Sequence, residues 1–251
     1  MSQTIVAFDL YGTLLSTESI AEKLETHFGA DKAKLIAALW RRYQLEYTWR
    51  LNSMSKYRPR LSEHKLSRAE KYEDFSVVTR KSLRHALGEH NLSLNDRDTE
   101  NLMAAYDNLS TFPDVNKALH QLEATSGIEC VVFSNGTNSM VSNSVNQSTD
   151  LYSSAFTDLV TVDEIGVFKP APEAYKHLAR KMGKEGSEDT LWLVSGNPFD
   201  IVGARAVGMQ AAWVDRAGNG WVDALGDKPT VIVRSLEEVV DKVQKHKVPQ
   251  Q

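Results

Sequence analysis

Short apolar runs of strand length recur along this chain, and they constrain its fold more than any other feature. They lie at residues 4–8, 128–133, 190–194, 210–214 and 230–233. Runs of this length and composition are typical of strands that are buried on both faces of a parallel sheet. Helical patterns separate most of them. The sequence therefore predicts an α/β fold built on a doubly wound, Rossmann-like parallel sheet.

The stretch between the first two runs has a different character. Residues 16–109 contain helical patterns at 18–28, 32–51, 73–88 and 98–106, and no convincing strand. In the second pattern Leu35, Leu39 and Tyr43 form one apolar stripe, with Ile36 and Trp40 beside it. We predict a core domain of residues 1–15 and 110–251 and a helical cap domain of residues 16–109, placed over the active-site edge of the sheet.

Charge and composition argue against several classes of protein. The net charge is −4 and no basic stripe dominates the chain, so nucleic-acid binding has little electrostatic support. The single cysteine, Cys130, lies in an apolar run and is predicted to be a buried hydrophobic residue. No apolar stretch is long enough to cross a bilayer, and no basic leader precedes an apolar signal segment, so we expect a cytoplasmic protein. The basic residues 55–71, interrupted by Pro59, are interpreted as a solvated excursion.

Polar residues follow several of the apolar runs directly. Asp9, Ser134 and Ser195 each stand one position after a run ends. In open α/β sheets, ligands bind at the carboxyl ends of the strands. The sequence therefore predicts a functional site at this edge of the sheet.

These residues belong to a set of motifs that resembles the haloacid dehalogenase superfamily, and more narrowly its L-2-haloacid dehalogenases. The superfamily's first motif, Asp-x-x-Gly-Thr after a strand, stands here as Phe8-Asp9-Leu10-Tyr11-Gly12-Thr13-Leu14. The resemblance extends over nearly the whole chain and implies that Asp9 is a covalent nucleophile. The other matching segments are Ala38-Leu39-Trp40-Arg41, Gln44-Leu45-Glu46-Tyr47-Thr48-Trp49, Ser134-Asn135-Gly136, Lys169-Pro170 and Ser195-Gly196-Asn197-Pro198-Phe199-Asp200.

Two departures separate the chain from the phosphatases of the superfamily. Phosphatases carry a second aspartate two residues after the nucleophile, where this chain has Tyr11. They carry a further acid in the fourth motif, where this chain has Gly196. A tyrosine protonates a phosphate-ester leaving group poorly near neutral pH, and Mg²⁺ needs several oxygen ligands. We therefore expect no metal and no other cofactor. A halide leaving group needs no proton.

The resemblance assigns the halide site to named positions. Arg41 stands where the family's arginine reaches from the cap and receives the departing halide; a solvated surface arginine is the alternative. Asn135 and Phe199 match the other halide-binding positions, although Phe199 could equally be a core residue. A guanidinium, an amide donor and an aromatic edge all offer a positive surface to an anion.

Further positions match residues that the family uses in catalysis. Lys169 matches the third motif and is expected to keep the nucleophile ionised. Asp200, in the fourth motif with Ser195 and Asn197, is expected to position or deprotonate the hydrolytic water. Tyr175 matches another site residue of the family. The alternatives are an exposed lysine, a tyrosine that only packs in its helix, and turn-forming or helix-capping roles for Ser195 and Asn197.

The substrate itself is expected to meet two kinds of surface. Ser134 matches the second motif and is expected to bind the substrate carboxylate, assisted by backbone N–H groups of Leu10 and Tyr11. Tyr11 also leads a predicted apolar wall, to which Leu45 and Phe75 contribute from the cap. None of the histidines falls in a recognised motif or in a metal-ligand spacing.

The reaction that the resemblance implies is the hydrolysis of a small L-2-haloalkanoate to a D-2-hydroxyalkanoate and halide, with inversion at C2. A Mg²⁺-dependent phosphatase of the same superfamily is one alternative, and a catalytically idle binding protein on the same scaffold is another. The expected partner is the 2-halocarboxylic acid alone, with no nucleic acid and no membrane. The family is often dimeric, and the sequence leaves a homodimer open.

Overall fold

A computed structural model of the chain describes residues 3–56 and 72–246. Its centre is a six-stranded sheet in the order β3-β2-β1-β4-β5-β6, in which every neighbouring pair is parallel. Helices cover both sides of the sheet, so the predicted doubly wound α/β fold is confirmed. The strands are β1 (Thr4–Phe8), β2 (Ile128–Ser134), β3 (Phe156–Thr161), β4 (Leu191–Ser195), β5 (Gln210–Val214) and β6 (Val231–Val233).

The helices begin at residues that suit helix starts. Asp74 and Thr137 accept hydrogen bonds from backbone N–H groups of the first turn, and Pro172 and Pro198 occupy first helical positions. The α-helices of the described residues are α1 (Ala21–Phe28), α2 (Ala30–Lys56), α3 (Phe75–Glu89), α4 (Asp96–Tyr106), α5 (Val115–Glu123), α6 (Asn138–Asn146), α7 (Pro172–Lys181), α8 (Pro198–Ala206) and α9 (Val239–Lys245).

Strand β1 lies in the middle of the sheet and explains where a site can form. Its side chains from Ile5 to Phe8 are buried, as the unbroken apolar run predicts. The chain winds outward from β1 in one direction through β2 and β3, and in the other through β4 to β6. The boundary between β1 and β4 is therefore the switch point of the topology, where the carboxyl ends of the strands leave a crevice for a ligand.

One strand was not predicted. Strand β3 lies at the edge of the sheet, and its residues Thr157 and Asp158 are exposed. An edge strand that contacts solvent does not need a continuous apolar run, so its sequence gives a weak signal.

Helices α1 to α4, which we call the helical block, lie between β1 and β2 in the chain. Within the described part of residues 17–106 there is no strand. The domain boundaries at residues 15 and 109 stay a prediction. Apart from the last residues of α2, the basic segment 55–71 lies outside the described residues.

The predicted apolar stripe on α2 is only partly right, since Tyr43 is buried, as are Ile36 and Trp40 beside it, but the other two members are not. Leu35 is 58% exposed and Leu39 is only partly buried. The face that packs against α1 and α3 is shifted around the helix, and its buried members are Ala33, Ile36, Ala37, Trp40, Tyr43, Gln44 and Thr48. Gln44 and Thr48 belong to that face because the neighbouring elements or the helix itself supply hydrogen-bond partners. A reading based on apolar bulk alone assigns such polar residues to solvent.

One smaller prediction was confirmed. Cys130 is buried, and burial raises the pKa of its thiol to about 12, as expected of an unreactive core residue. The C-terminal segment turns Leu236, Val239 and Val243 into the core and leaves Val240 partly buried. In the part of the chain that the structure describes, no helix combines the length and the apolar character needed to span a membrane.

Candidate active site

The carboxyl ends of β1, β2 and β4 bring Asp9, Ser134 and Ser195 to one edge of the sheet, as predicted. All three are buried, with Asp9 6% exposed. The backbone N–H of Asp9 donates to the Val194 carbonyl at 3.0 Å, which anchors the residue to the end of β4. The next residues turn sharply, and Gly12 at φ +88° occupies a backbone conformation that other residues rarely adopt.

Three donors hold the Asp9 carboxylate. Thr13 Oγ1 and Asn197 Nδ2 donate to Asp9 Oδ2 at 2.6 and 2.8 Å, and Lys169 Nζ donates to Asp9 Oδ1 at 3.1 Å. Thr13 Oγ1 in turn accepts the Gly196 N–H at 2.9 Å. The carboxylate is therefore fixed in orientation from several sides, which suits a group that must attack along one line.

Lys169 is buried, not exposed as its residue type usually is. Its ammonium group donates to the carboxylates of Asp9 and Asp200, at 3.1 and 3.0 Å, and to the Phe133 carbonyl at 2.7 Å. Burial by itself would lower the pKa of Lys169, but the charges of Asp200 and Asp9 outweigh it and raise that pKa above its ordinary value. The lysine therefore stays cationic between two acids.

Asp200 stands in the first turn of α8 and is fully buried. Tyr175 Oη, from α7, donates to Asp200 Oδ1 at 2.8 Å. Burial raises the pKa of Asp200, and the charge of Lys169 opposes that rise. The pKa of Tyr175 is itself raised, by burial and by the charge of Asp200, so its hydroxyl remains a donor. Tyr175 thus both packs in its helix and contacts the predicted base.

Asn197 joins the sheet edge to the helical block. Its Nδ2 donates to Asp9 Oδ2, and its Oδ1 accepts a hydrogen bond from Arg41 Nη2 at 3.2 Å. Arg41 Nη2 also donates to the Tyr11 carbonyl at 3.1 Å. The guanidinium from α2 is therefore one amide group away from the Asp9 carboxylate. This geometry does not fit the alternative of an arginine that only contacts solvent.

The remaining polar residues hold the loops that follow the strands. Ser134 Oγ accepts the Gly136 N–H and Ser195 Oγ accepts the Asn197 N–H, each at 3.1 Å. Asn135 Oδ1 accepts the Lys169 N–H at 2.9 Å. Because the two ends of an amide point apart, this bond turns Asn135 Nδ2 away from the lysine backbone. Ser195 fits the turn-forming alternative.

Aromatic side chains line the same region. Tyr11 is buried, and its ring stacks on Phe75 of α3 with centroids 5.8 Å apart and planes 22° apart. Phe199 is partly buried and meets Trp49 of α2 edge-on at 5.5 Å. Leu45 is partly buried on α2, and Leu10 is fully buried beside the nucleophile. Phe75 therefore lies against Tyr11, as the predicted wall requires.

The predicted site omitted two side chains that the structure places there. Thr13 contacts Asp9 directly, and its signal was available in the Asp-x-x-Gly-Thr spacing. Tyr106 packs on Tyr11 at 5.5 Å and donates to Gln44 Oε1 at 2.9 Å. Burial raises the pKa of Tyr106 while the nearby charge of Arg41 opposes the rise. Nothing in the sequence marks Tyr106, because it comes from a different helix of the block.

The charged side chains of the site are not arranged as a set of metal ligands. Across residues 3–56 and 72–246, no three His, Cys, Asp or Glu side chains are grouped in a way that could hold a metal. The ammonium of Lys169 occupies the space between the carboxylates of Asp9 and Asp200. The arrangement offers a fixed carboxylate, a second buried carboxylate, an ammonium group between them, and a guanidinium one amide group away from the first.

Comparison with known proteins gives consistent matches over nearly the whole chain. A family model described as a haloacid dehalogenase-like hydrolase matches residues 4–208. An (S)-2-haloacid dehalogenase of Pseudomonas fluorescens is 32% identical, with 92% of each chain covered. The (S)-2-haloacid dehalogenase H-109 of Pseudomonas putida is 33% identical, with 94% of this chain and 96% of the relative covered.

Solved structures agree with the sequence matches. A crystal structure of an L-2-haloacid dehalogenase superimposes with a TM-score of 0.83 at 30% identity. The match covers 97% of this chain and 100% of that chain. The L-2-haloacid dehalogenase of Xanthobacter autotrophicus with chloropropionic acid covalently bound gives a TM-score of 0.82 at 25% identity, covering 98% of this chain and 100% of that one. On the motifs, the fold and these matches together, the chain belongs to the haloacid dehalogenase-like hydrolase family.

Proposed function

We propose that this protein is an (S)-2-haloacid dehalogenase, which hydrolyses L-2-haloalkanoates to D-2-hydroxyalkanoates and halide through an ester on Asp9. Relatives about 30% identical over most of the chain carry that name, which supports the proposal. The observation that carries it is the Asn197 amide, which contacts Asp9 with one end and Arg41 with the other. That contact brings the Asp9 carboxylate, the proposed nucleophile, and the Arg41 guanidinium, the proposed halide-binding group, into one site, which supports the proposal.

In the first step the Asp9 carboxylate attacks C2 of the substrate, and the carbon–halogen bond breaks with its electron pair leaving on the halide. Arg41, the Asn135 amide and the edge of Phe199 stabilise the charge that develops on the halogen. A guanidinium is permanently charged and weakly hydrated, so it suits an anion in a partly dry site.

In the second step water attacks the carbonyl carbon of the Asp9 ester and loses a proton to Asp200. The bond between that carbon and the ester oxygen then breaks, which regenerates the Asp9 carboxylate, and the departing alkoxide takes the proton back from Asp200 to give the 2-hydroxy acid. The raised pKa of Asp200 makes it a better base than an ordinary aspartate. Lys169 and Asn197 orient and stabilise the carbonyl oxygen. Because C2 is attacked only once, its configuration inverts once, and an L-2-halo acid yields a D-2-hydroxy acid.

The substrate carboxylate is held by Ser134 and by backbone N–H groups of Leu10 and Tyr11 in this proposal. Such successive N–H groups at the end of a strand form a natural cradle for an anion. The helical block acts as the cap, with Tyr11, Leu45 and Phe75 lining the apolar side of the substrate.

The proposed reaction needs no metal. Tyr11 takes the place of the phosphatases' general acid. At Gly196, where those enzymes have an acidic residue, an added Cβ would lie 2.6 Å from the Gly12 carbonyl oxygen. A side chain at 196 would therefore require the turn after the nucleophile to move. A cytoplasmic location and a homodimer remain expectations from the sequence.

The test is halide release from L- and D-2-chloropropionate, measured with and without a chelator. We expect release from the L-isomer only, unchanged by the chelator, with D-lactate as the organic product. Phosphate release from a generic phosphate ester that depends on Mg²⁺, without halide release, would identify the phosphatase instead. A protein that releases neither product would be the idle binding protein.

A further inference from the structure

Asn52 forms a contact between the helical block and the sheet that the predicted site does not include. It lies on α2, and its side chain binds both polar groups of one backbone residue. Asn52 Nδ2 donates to the Phe168 carbonyl at 2.7 Å, and Asn52 Oδ1 accepts the Phe168 N–H at 3.0 Å. Two matched hydrogen bonds fix the distance and the orientation of the Phe168 backbone relative to α2.

Phe168 immediately precedes Lys169, and the backbone N–H groups of the two residues donate to side chains from different parts of the fold. The helical block holds the first through Asn52, and the core holds the second through Asn135 Oδ1 at 2.9 Å. The Phe168 ring also packs against Phe75, with centroids 6.3 Å apart. The loop that carries the lysine is therefore positioned jointly by the block and the core.

Asn52 shares its helix with Arg41, about three turns earlier. Helix α2 is continuous from Ala30 to Lys56, so the two side chains move together with the helix. When α2 is seated with Arg41 on Asn197, Asn52 is seated on Phe168. One rigid element thus contacts the loop after β4 and the loop that carries Lys169.

We propose that Asn52 is a positioning residue that couples the seating of the Arg41 helix to the placement of the Lys169 ammonium group. The proposal rests on the proposed dehalogenase function. Asn52 acts through the Phe168 backbone and touches neither the substrate nor the reacting atoms.

The consequence for catalysis follows from the length of the lysine side chain. The Lys169 ammonium reaches three acceptors, at 2.7, 3.0 and 3.1 Å, from a backbone position that the loop sets. Without Asn52 the Phe168 N–H loses its partner, and the Phe168 carbonyl keeps only the N–H of Ala171, at 3.0 Å. The loop then shifts to satisfy the freed N–H. The ammonium then shifts relative to both carboxylates. The groups proposed to bind the substrate carboxylate are unaffected, so the turnover rate should suffer more than substrate binding.

The experiment compares Asn52→Leu, which keeps the size of the side chain and removes both hydrogen bonds, with Asn101→Ala, a change at an exposed asparagine on α4. In Asn52→Leu we expect kcat for L-2-chloropropionate to fall about tenfold, with KM changed less than about twofold, since small misplacements of catalytic groups cost that much or more. Amide hydrogen exchange at Phe168 should accelerate. Asn101→Ala should match the wild type in all three measurements.

Two results would overturn the proposal. One is wild-type kcat in Asn52→Leu despite faster exchange at Phe168, which would make the contact structural only. The other is unchanged exchange, which would mean that the contact does not hold the loop. If Asn52→Leu does not fold, Asn52→Ala is measured in the same way. A wild-type protein that releases no halide refutes the proposed function itself, and the exchange data then still report on the contact.

Discussion

The two walls of the candidate site carry charge in different ways. On the core wall, Asp9, Lys169 and Asp200 are buried, and the lysine bridges both acids at 3.1 and 3.0 Å. On the wall formed by the helical block, Arg41 is only partly buried. Its guanidinium donates to a backbone carbonyl and to the amide of Asn197, both neutral acceptors.

Because of this difference, we expect changes on the two walls to affect stability and activity differently. Removing one member of a buried charge network leaves the others uncompensated, so core-wall changes should affect folding and activity together. A partly exposed guanidinium that binds neutral acceptors contributes little to folding. Its positive charge is left available for an anion, so changes there should affect activity alone.

The largest effect is expected at the nucleophile. In Asp9→Asn the neutral amide cannot attack C2, so halide release should fall to the background. Halide is measured with L-2-chloropropionate after mass spectrometry has excluded deamidation back to aspartate. Full activity from an intact Asp9→Asn protein would refute the assignment of Asp9.

Lys169→Met tests whether a change on the core wall lowers stability and activity together. Two carboxylates would remain buried without their cation, which should lower the free energy of unfolding by about 3–5 kcal/mol and abolish most turnover. Urea unfolding at neutral pH measures the first effect. The loss should shrink as the pH falls through the raised pKa of Asp200, because a protonated Asp200 carboxyl needs no cation. A variant as stable as the wild type at neutral pH would contradict the comparison.

Arg41→Lys tests the other wall. A lysine keeps the charge but lacks the planar donor set, so we expect kcat to fall about 10²-fold, as for loss of a well-placed donor to a developing anion. The free energy of unfolding should change by no more than about 0.5 kcal/mol. Arg42→Lys is the matched control, since the Arg42 side chain is 58% exposed on the same helix. Equal effects at both positions would place Arg41 outside the mechanism.

The smallest effect is a change in pH dependence. Burial raises the pKa of Asp200, and the hydrogen bond from Tyr175 lowers it in part. Activity that needs an ionised Asp200 is lost as the pH falls through that pKa. Tyr175→Phe removes the donor, so the pKa should rise further and the acid limb of kcat should move to higher pH. An acid limb that stays in place, or moves to lower pH, would separate Asp200 from the pH-dependent step.

Much of the core wall could be predicted from sequence because its members sit at fixed offsets from strands. Asp9 directly follows a buried apolar run, and Asp200 lies in the first turn of α8, the helix that follows strand β4. The parallel sheet brings such positions to one edge whatever the rest of the chain does. Less of the helical block could be predicted from sequence. Its helices were predicted, but the buried face of α2 was predicted only in part, because Gln44 and Thr48 are buried through hydrogen bonds to partners that the pattern does not reveal.

The sequence by itself determined the α/β class, the strand ends that carry the polar residues, and the family motifs, since these depend on local periodicity and on short spacings. Only the tertiary structure decided which side chains meet across the block and the sheet. Arg41 lies 156 residues from its partner Asn197, and Asn52 lies 116 from Phe168. Contacts between such distant positions depend on how a helix packs on a sheet edge, and no local pattern encodes that packing.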